Sequence, residues 1–384
     1  MEPMATHGRD ANTWIELETA AIENNVRVFR ELIGEERILT AVVKSDAYGH
    51  GLLPVAEVSL RAGANWLGVF DAGEGFVLRE QGVNAPIIVL GSIRAEQIER
   101  ALAHGFRLTV ASVEAARLLA GKSNGSGAVV HLKLETGTNR QGLDIEQLPA
   151  TVDLLREAGI EIEGVYTHYA DIEDTTDHTF AEQQRGRFER CLARLGELGV
   201  DPPLPHTACT AAAILFEKTY FAMVRVGIGL YGLWPSRETL VSANALGRNR
   251  LGLRPVMTWK TRVVQVKTVS SGQYVGYGRT YRSTRETRVA VLPVGYADGY
   301  DRRLSGVAHV LVSGVRAPVL GRVCMNMIMV DATDVPGVIA GDEVVLLGQQ
   351  GDETISAEDL AGLAGTINYE IVTRAAPGAP RFLV

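Results

Sequence analysis

The chain has 384 residues, 46% of them hydrophobic, and a formal net charge of −7. That length supports a large core and two domains, or one barrel with an appendage. Charges of both signs are mixed along it, which leaves no basic footprint for nucleic acid and no acidic tail. The opening residues, MEPMATHGRDANTW, hold no apolar stretch of the kind a secretory signal needs. No apolar run approaches the roughly 20 residues of a spanning helix, so a cytoplasmic protein without membrane contacts is expected. Cys191, Cys209 and Cys324 are far apart and odd in number. They argue against a disulfide framework and a clustered zinc site, and no metal is expected.

In chain order, short apolar runs alternate with helical patterns through the first two-thirds. The runs are ILTAVVK, NWLGVF, PIIVLGS, FRLTVAS, GAVVHLKLE, IEGVYTH, PLPHTA and FAMVRVG. Between them, SVEAARLLA and LPATVDLLREAG carry apolar residues at helical spacing. Continuous apolar runs separated by helices predict buried parallel strands. Eight such units in about 230 residues predict a (β/α)8 barrel, with a doubly wound open sheet as the competing arrangement. After about Leu246 the rhythm changes. RPVMTWKTRVVQVKTV, TRVAVLPVGY, VAHVLVSGVRAPVLGRV, MNMIMVDAT and DEVVLLG are strand-like, and helices are nearly absent until SAEDLAGLAG. This predicts an α/β barrel over residues 14–247, then a mostly antiparallel β domain over 248–384 to which the segment 1–18 adds a strand.

Chemistry in a barrel sits at the C-terminal strand ends. Strand one ends at Lys44, followed by Tyr48 and His50. Strand five carries Lys133 and Glu135, with Arg140 in the next loop. Strands six and seven end at His168 and His206, the latter followed by Thr210. Strand eight carries Arg225 and then Gly227 and Gly229. A strand-end amine with a glycine-rich loop after strand eight points to a Schiff base with a phosphate-bearing cofactor, pyridoxal phosphate. Each feature alone has a bland reading: a snorkelling lysine, a satisfied histidine, a turn glycine. Their coincidence at strand ends outweighs it. In the β domain, Tyr277, Met325 and Tyr369, the last in a strand-like segment, read by themselves as packing residues.

AVVKSDAYGHG resembles the cofactor-lysine motif of the alanine racemase family. HLKLETGTNRQG, YTHYAD, VRVGIGLYG, VGYGRTY, VGYADGY, GRVCMN and INYEIVTR resemble that family's blocks in the same order, over nearly the full chain. The resemblance implies a pyridoxal phosphate-dependent isomerase, a barrel with a C-terminal β domain, and a homodimer whose active sites take residues from both subunits. It implies that Lys44 carries the cofactor and is one acid/base group, while Tyr277 of the other subunit is the second. Tyr48, Thr210, Tyr369 and the backbone of Gly227 and Ile228 would hold the phosphate. Arg225 would bond the pyridine nitrogen, with His168 behind it. Arg140 and Met325 match substrate contacts, and Tyr296, Arg302 and Arg322 match the access route. Lys133 matches a lysine often carbamylated in the family.

The chemistry supports the pairing independently. Racemisation removes a proton from one face of Cα and returns one to the other, so two bases are needed, each near the carbon. Free lysine titrates at about 10.4 and free tyrosine at about 10, so the site must lower both. An arginine at the ring nitrogen stays protonated and leaves that nitrogen unprotonated, a weaker electron sink. Several positions depart from the family pattern: Ser45, Glu135, and Cys209 with Thr210. Asn326 stands where alanine-specific members usually carry Asp, which points to broader specificity, with serine as a second substrate. A barrel-only cofactor-binding protein and an amino-acid decarboxylase are the other readings. The β domain with Tyr277 argues against the first, and Arg225 against the second.

Overall fold

The computed structural model describes residues 11–123, 127–248 and 250–384. Residues 1–10 of the segment expected to add a strand lie outside the described residues. The chain divides into two compact units. One comprises Ala20–Ala47 and Leu52–Arg254, and the other the N-terminal segment to Thr19, Tyr48–Gly51 and Pro255–Val384.

After β1 (Thr13–Leu17), which belongs to the second unit, eight parallel strands build the first. They are β2 (Ile38–Val42), β3 (Trp66–Val69), β4 (Ile87–Val89), β5 (Arg107–Val110), β6 (Val129–Lys133), β7 (Glu161–Tyr166), β8 (Leu204–His206) and β9 (Met223–Val226). Each of β2 to β7 pairs with its successor, and β9 pairs back onto β2. First pairing with last is the mark of a barrel, not of an open doubly wound sheet. Between β8 and β9, the one junction without a regular ladder, Ala222 N–H bonds Pro205 C=O at 3.0 Å and Arg225 N–H bonds Ala208 C=O at 3.1 Å. Most strand residues are buried because helices cover the outside and side chains fill the inside.

Helix boundaries follow local chemistry. Thr19–Ile33 buries Ile22, Val26, Phe29 and Ile33, spaced three and four apart, and the chain leaves the helix at Gly34 (φ 82°). Phe29 is fully buried, and its truncation to alanine would cost about 3–5 kcal/mol. Asp71 caps Ala72–Glu80 by accepting from Gly73 N–H, and Ser112 caps Val113–Lys122 by accepting from Ala115 N–H.

The second unit is a sheet ordered Gln265–Val269, Thr287–Leu292, Ile328–Asp331, Val315–Leu320, His309–Val312, Glu343–Gln350, Met257–Arg262, β1 and Arg381–Leu383. Its pairings are antiparallel except that of β1 with Arg381–Leu383. A two-stranded hairpin, Tyr274–Val275 with Tyr281–Arg282, makes no ladder with the sheet but packs on it through Val275, Val289 and Leu320. Among the described residues no helix is long and apolar enough to cross a membrane.

Candidate active site

The strand that leads to Lys44 ends at Val42, and Lys44 opens a turn rather than closing the strand. Ser45, Asp46, Ala47 and Tyr48 all have φ between 52° and 56°, a full turn of left-handed helix made without glycine. Each such L-residue costs about 1–2 kcal/mol, so the turn persists only because its surroundings determine it. Asp46 Oδ1 accepts from Leu52 N–H at 2.7 Å, and Ala47 N–H bonds Val43 C=O at 2.8 Å. Gly49 ends the turn at φ 80°. A Cβ there would lie 2.3 Å from Val372 C=O, so no other residue fits.

Lys44 is half-buried. Burial and the nearby Arg140 hold its ammonium below the ordinary lysine range. Glu173 and Glu74 oppose them, and Arg225 adds to the lowering. Lys133 is 7% exposed and held at about 8 by burial, Arg140 and Arg225. His168 follows β7 by two residues. Desolvation and the cations Arg225, Arg140, Lys44 and Lys133 hold its imidazole at about 3, so it is neutral. Burial pushes the Glu135 carboxyl up, but N–H bonds from Asn139, Gly137, Thr138 and Arg140 outweigh that and hold it below the usual range. Glu135 thereby gathers the loop that carries Arg140.

Lys133, Tyr166 and His206 sit in register across β6, β7 and β8, so they share the barrel's inner face. The Tyr166 and His206 rings stack 4.8 Å apart at 11°, and the Arg225 guanidinium lies 5.0 Å from the Tyr166 ring. Arg225 is 5% exposed. It donates to Thr167 C=O at 2.8 Å, Thr207 C=O at 3.2 Å, and His206 at both Nδ1 and C=O. All of these acceptors are neutral.

The acceptor on His206 belongs to a longer chain. His206 Nε2 meets His131 Nδ1 at 2.8 Å, and His131 Nε2 meets Glu163 Oε2 at 3.1 Å. Arg107 grips the Glu163 carboxylate with Nε and Nη2 at 3.0 and 3.1 Å. A carboxylate only accepts, so His131 carries its hydrogen on Nε2 and accepts at Nδ1. His206 must then donate from Nε2 and accept at Nδ1, from Arg225. The tautomers of both imidazoles follow from the two ends. Burial keeps both rings neutral. Gly164 permits the crossing, since a Cβ there would sit 2.3 Å from His131 Nδ1.

At the mouth after β9, the N–H groups of Gly227 and Gly229 converge on Thr210 Oγ1 at 3.0 and 3.5 Å, and Ile228 opens a 3-10 turn. Backbone donors beside a hydroxyl suit a phosphate. The Lys44 amine suits an aldehyde, and a permanently charged Arg225 suits a ring nitrogen acceptor. The barrel's donor set thus fits pyridoxal phosphate.

In the β unit, Tyr277 occupies the tip of the small hairpin, where Gly276, Gly278 and Arg279 take positive φ. It is 73% exposed, which rules out the packing role. Met325, at 56%, is likewise no core filler. Tyr277, Tyr296, Arg302, Arg322, Met325 and Asn326 border one cavity of about 1010 Å³. Tyr369 lies in the helix Asn368–Arg374, not in a strand, with its ring 6.1 Å from that of Tyr48. The β-branched residues misled the reading. The segment is helical because Glu370 accepts from the Thr366 hydroxyl and pairs with Arg374 one turn on, while Asn368, Ile371 and Val372 face inward. Sequence reasoning passed over His131, Glu163 and Arg107. The available signals were a histidine two residues before Lys133 and a glycine inside a strand.

Residues 17–235 match the family described as alanine racemase, N-terminal domain, and residues 256–383 match alanine racemase, C-terminal domain. The chain is 42% identical over 373 residues to the alanine racemase of Halothermothrix orenii, covering 96% of each. It is 37% identical over 375 residues to that of Leptospira interrogans, covering 97% of this chain and 96% of the relative. Among solved structures, the Bacillus anthracis alanine racemase with bound L-Ala-P superposes with a TM-score of 0.89 at 38% identity, covering 97% of this chain and 95% of that one. The enzyme from a D-cycloserine-producing Streptomyces lavendulae gives 0.88 at 34%, covering 97% of each.

Proposed function

The chain belongs to the alanine racemase family, and from that premise we propose that it interconverts L- and D-alanine with pyridoxal phosphate, supplying D-alanine for peptidoglycan. When bound, the cofactor supplies the electron sink that makes the substrate's Cα–H acidic. Lys44 holds the cofactor and moves a proton at its Nζ on one face of Cα. Its lowered pKa raises the fraction of neutral amine near neutral pH. Tyr277 of a second copy moves the proton on the other face, and its exposure on the hairpin tip leaves it available for that. Thr210 with the backbone of Gly227 and Ile228, together with Tyr48 and Tyr369, holds the phosphate. Arg225 donates to the ring nitrogen, and neutral His168 stands behind without adding charge.

Arg140 and Met325 orient the substrate. The Lys133 amine, at about 8, is neutral often enough to add CO2, and the resulting carbamate would give Arg140 an anionic neighbour. Tyr296, Arg302 and Arg322 line the approach. The assembly is a homodimer with shared sites.

One observation supports this reading over decarboxylation, namely that among the described residues buried Arg225 donates to neutral acceptors, so its charge remains available to the ring nitrogen. The test is circular dichroism of L- and D-alanine incubated with the purified protein, alongside its visible absorbance. Interconversion with a cofactor band that vanishes in Lys44→Ala supports the proposal, and carbon dioxide release without racemisation sinks it. Asn326 supports a second reading, broader specificity that includes serine. It is exposed at the same cavity, where an amide both donates and accepts.

A further inference from the structure

The left-handed turn after Lys44 has a brace outside its own sequence. Glu74 lies in the first turn of the helix Ala72–Glu80, just after β3. Its Oε2 accepts from Phe70 N–H at 2.9 Å and Asp71 N–H at 3.4 Å. The bond from Asp71 is the reciprocal half of a capping box and needs no further explanation. Its Oε1 goes beyond capping. It accepts from Ser45 N–H at 2.5 Å and from Asp46 N–H at 3.4 Å.

Those two amides belong to the residues immediately after Lys44. The β2–β3 ladder runs out just before them, with Val42 opposite Gly68 and a last bond from Val43 N–H to Gly68 C=O at 2.8 Å. Beyond that point one carboxylate takes over from the ladder, with one oxygen for each loop. Only a group with two acceptor atoms can serve both. A glutamine offers one oxygen, and its NH2 would face N–H donors.

We propose that Glu74 is a positioning residue for Lys44, clamping the left-handed turn to the next barrel loop and so fixing where the lysine side chain emerges. This rests on the reading of Lys44 as the cofactor lysine and base. The clamp also explains how four strained non-glycine residues coexist in a site where a small displacement of the base is costly. Two of their N–H groups, at the start of the turn where the helical pattern supplies no acceptor, are taken up by the Glu74 carboxylate.

The test compares Glu74→Ala, Glu74→Gln and Asp71→Ala in the full-length, cofactor-loaded protein. Hydrogen exchange read by mass spectrometry follows the amides of Ser45 and Asp46. In Glu74→Ala both should exchange about tenfold faster or more, and kcat should fall about tenfold to a hundredfold while KM moves less than about threefold. Glu74→Gln, which keeps the volume and one acceptor, should show a smaller loss of both and serves if the alanine variant does not fold. Asp71→Ala removes the acceptor of Gly73 N–H on the same helix (2.6 Å). It should lower the melting temperature yet leave the Ser45 and Asp46 amides and kcat as they were. Unchanged exchange or unchanged kcat in the Glu74 variants overturns the proposal, as does an equal kcat loss in Asp71→Ala. Lys44→Ala tests the premise separately. If it keeps the cofactor band and racemisation, the reading of Lys44 fails whatever Glu74 does.

Discussion

In the barrel unit most of the candidate polar residues lie inside and are answered by neighbours. Arg225, His206, His131 and Glu163 form one hydrogen-bonded chain, and Glu135 and Glu74 each gather a loop through backbone N–H groups. In the β unit the corresponding residues stand at the surface. Tyr277, Met325 and Asn326 rim an open cavity. The barrel's polar groups are held by partners within the same unit. The β unit supplies side chains whose environment must come from whatever covers them, which supports a second copy as that cover.

The sharpest way to break this contrast is subunit mixing. Lys44→Ala and Tyr277→Phe should each remove nearly all racemisation. Unfolded together and refolded, they should recover about one quarter of wild-type activity, because half the dimers are mixed and each of those holds one intact site. No recovery on mixing would place both bases in a single chain. Arg225→Glu probes the barrel side. It should raise transamination relative to racemisation, read as pyridoxamine phosphate and pyruvate formed per turnover, and unchanged product purity would count against the role given to Arg225.

A smaller effect concerns stability. Burial pushes the Glu163 carboxyl up, but His131 and Arg107 outweigh it and hold it at about 2, against an ordinary 4.5. A depressed acid stabilises the fold above its unfolded pKa, and that stability is lost as the pH falls from about 4.5 towards 2. The contribution is on the order of 3 kcal/mol. Glu163→Gln should therefore be less stable at neutral pH and show a flatter acid limb in urea titrations, whereas the same titration of Asp334→Asn on the β unit's surface should match wild type. The smallest expected change is in Asn326→Asp, which should lower kcat/KM for L-serine relative to L-alanine by about tenfold or less. An unchanged ratio removes Asn326 as a determinant of specificity.

The barrel strands were legible because buried parallel strands are continuous apolar runs, and Lys44 and Arg225 stood out as candidates because chemistry in a barrel collects near strand ends. The link from Arg225 to Glu163 was not. It depends on register across four strands, and a register is not written within any one of them. Nor was the turn at Ser45 to Tyr48, where no glycine announces positive φ and the cause, Glu74, lies about thirty residues on. Tyr369 shows the opposite failure, in which local composition favoured a strand and a pair of side chains one turn apart decided for a helix.

The chain of imidazoles has one more consequence. Glu163 can only receive hydrogen bonds and Arg225 can only give them, so the polarity between them is frozen and no proton can hop along it without an arginine losing its own. The barrel mouth therefore sees the same positive charge across the whole working pH range, like a reference electrode wired to a fixed terminal. A pH dependence of turnover is then expected from groups off that wire, such as the Lys44 and Lys133 amines.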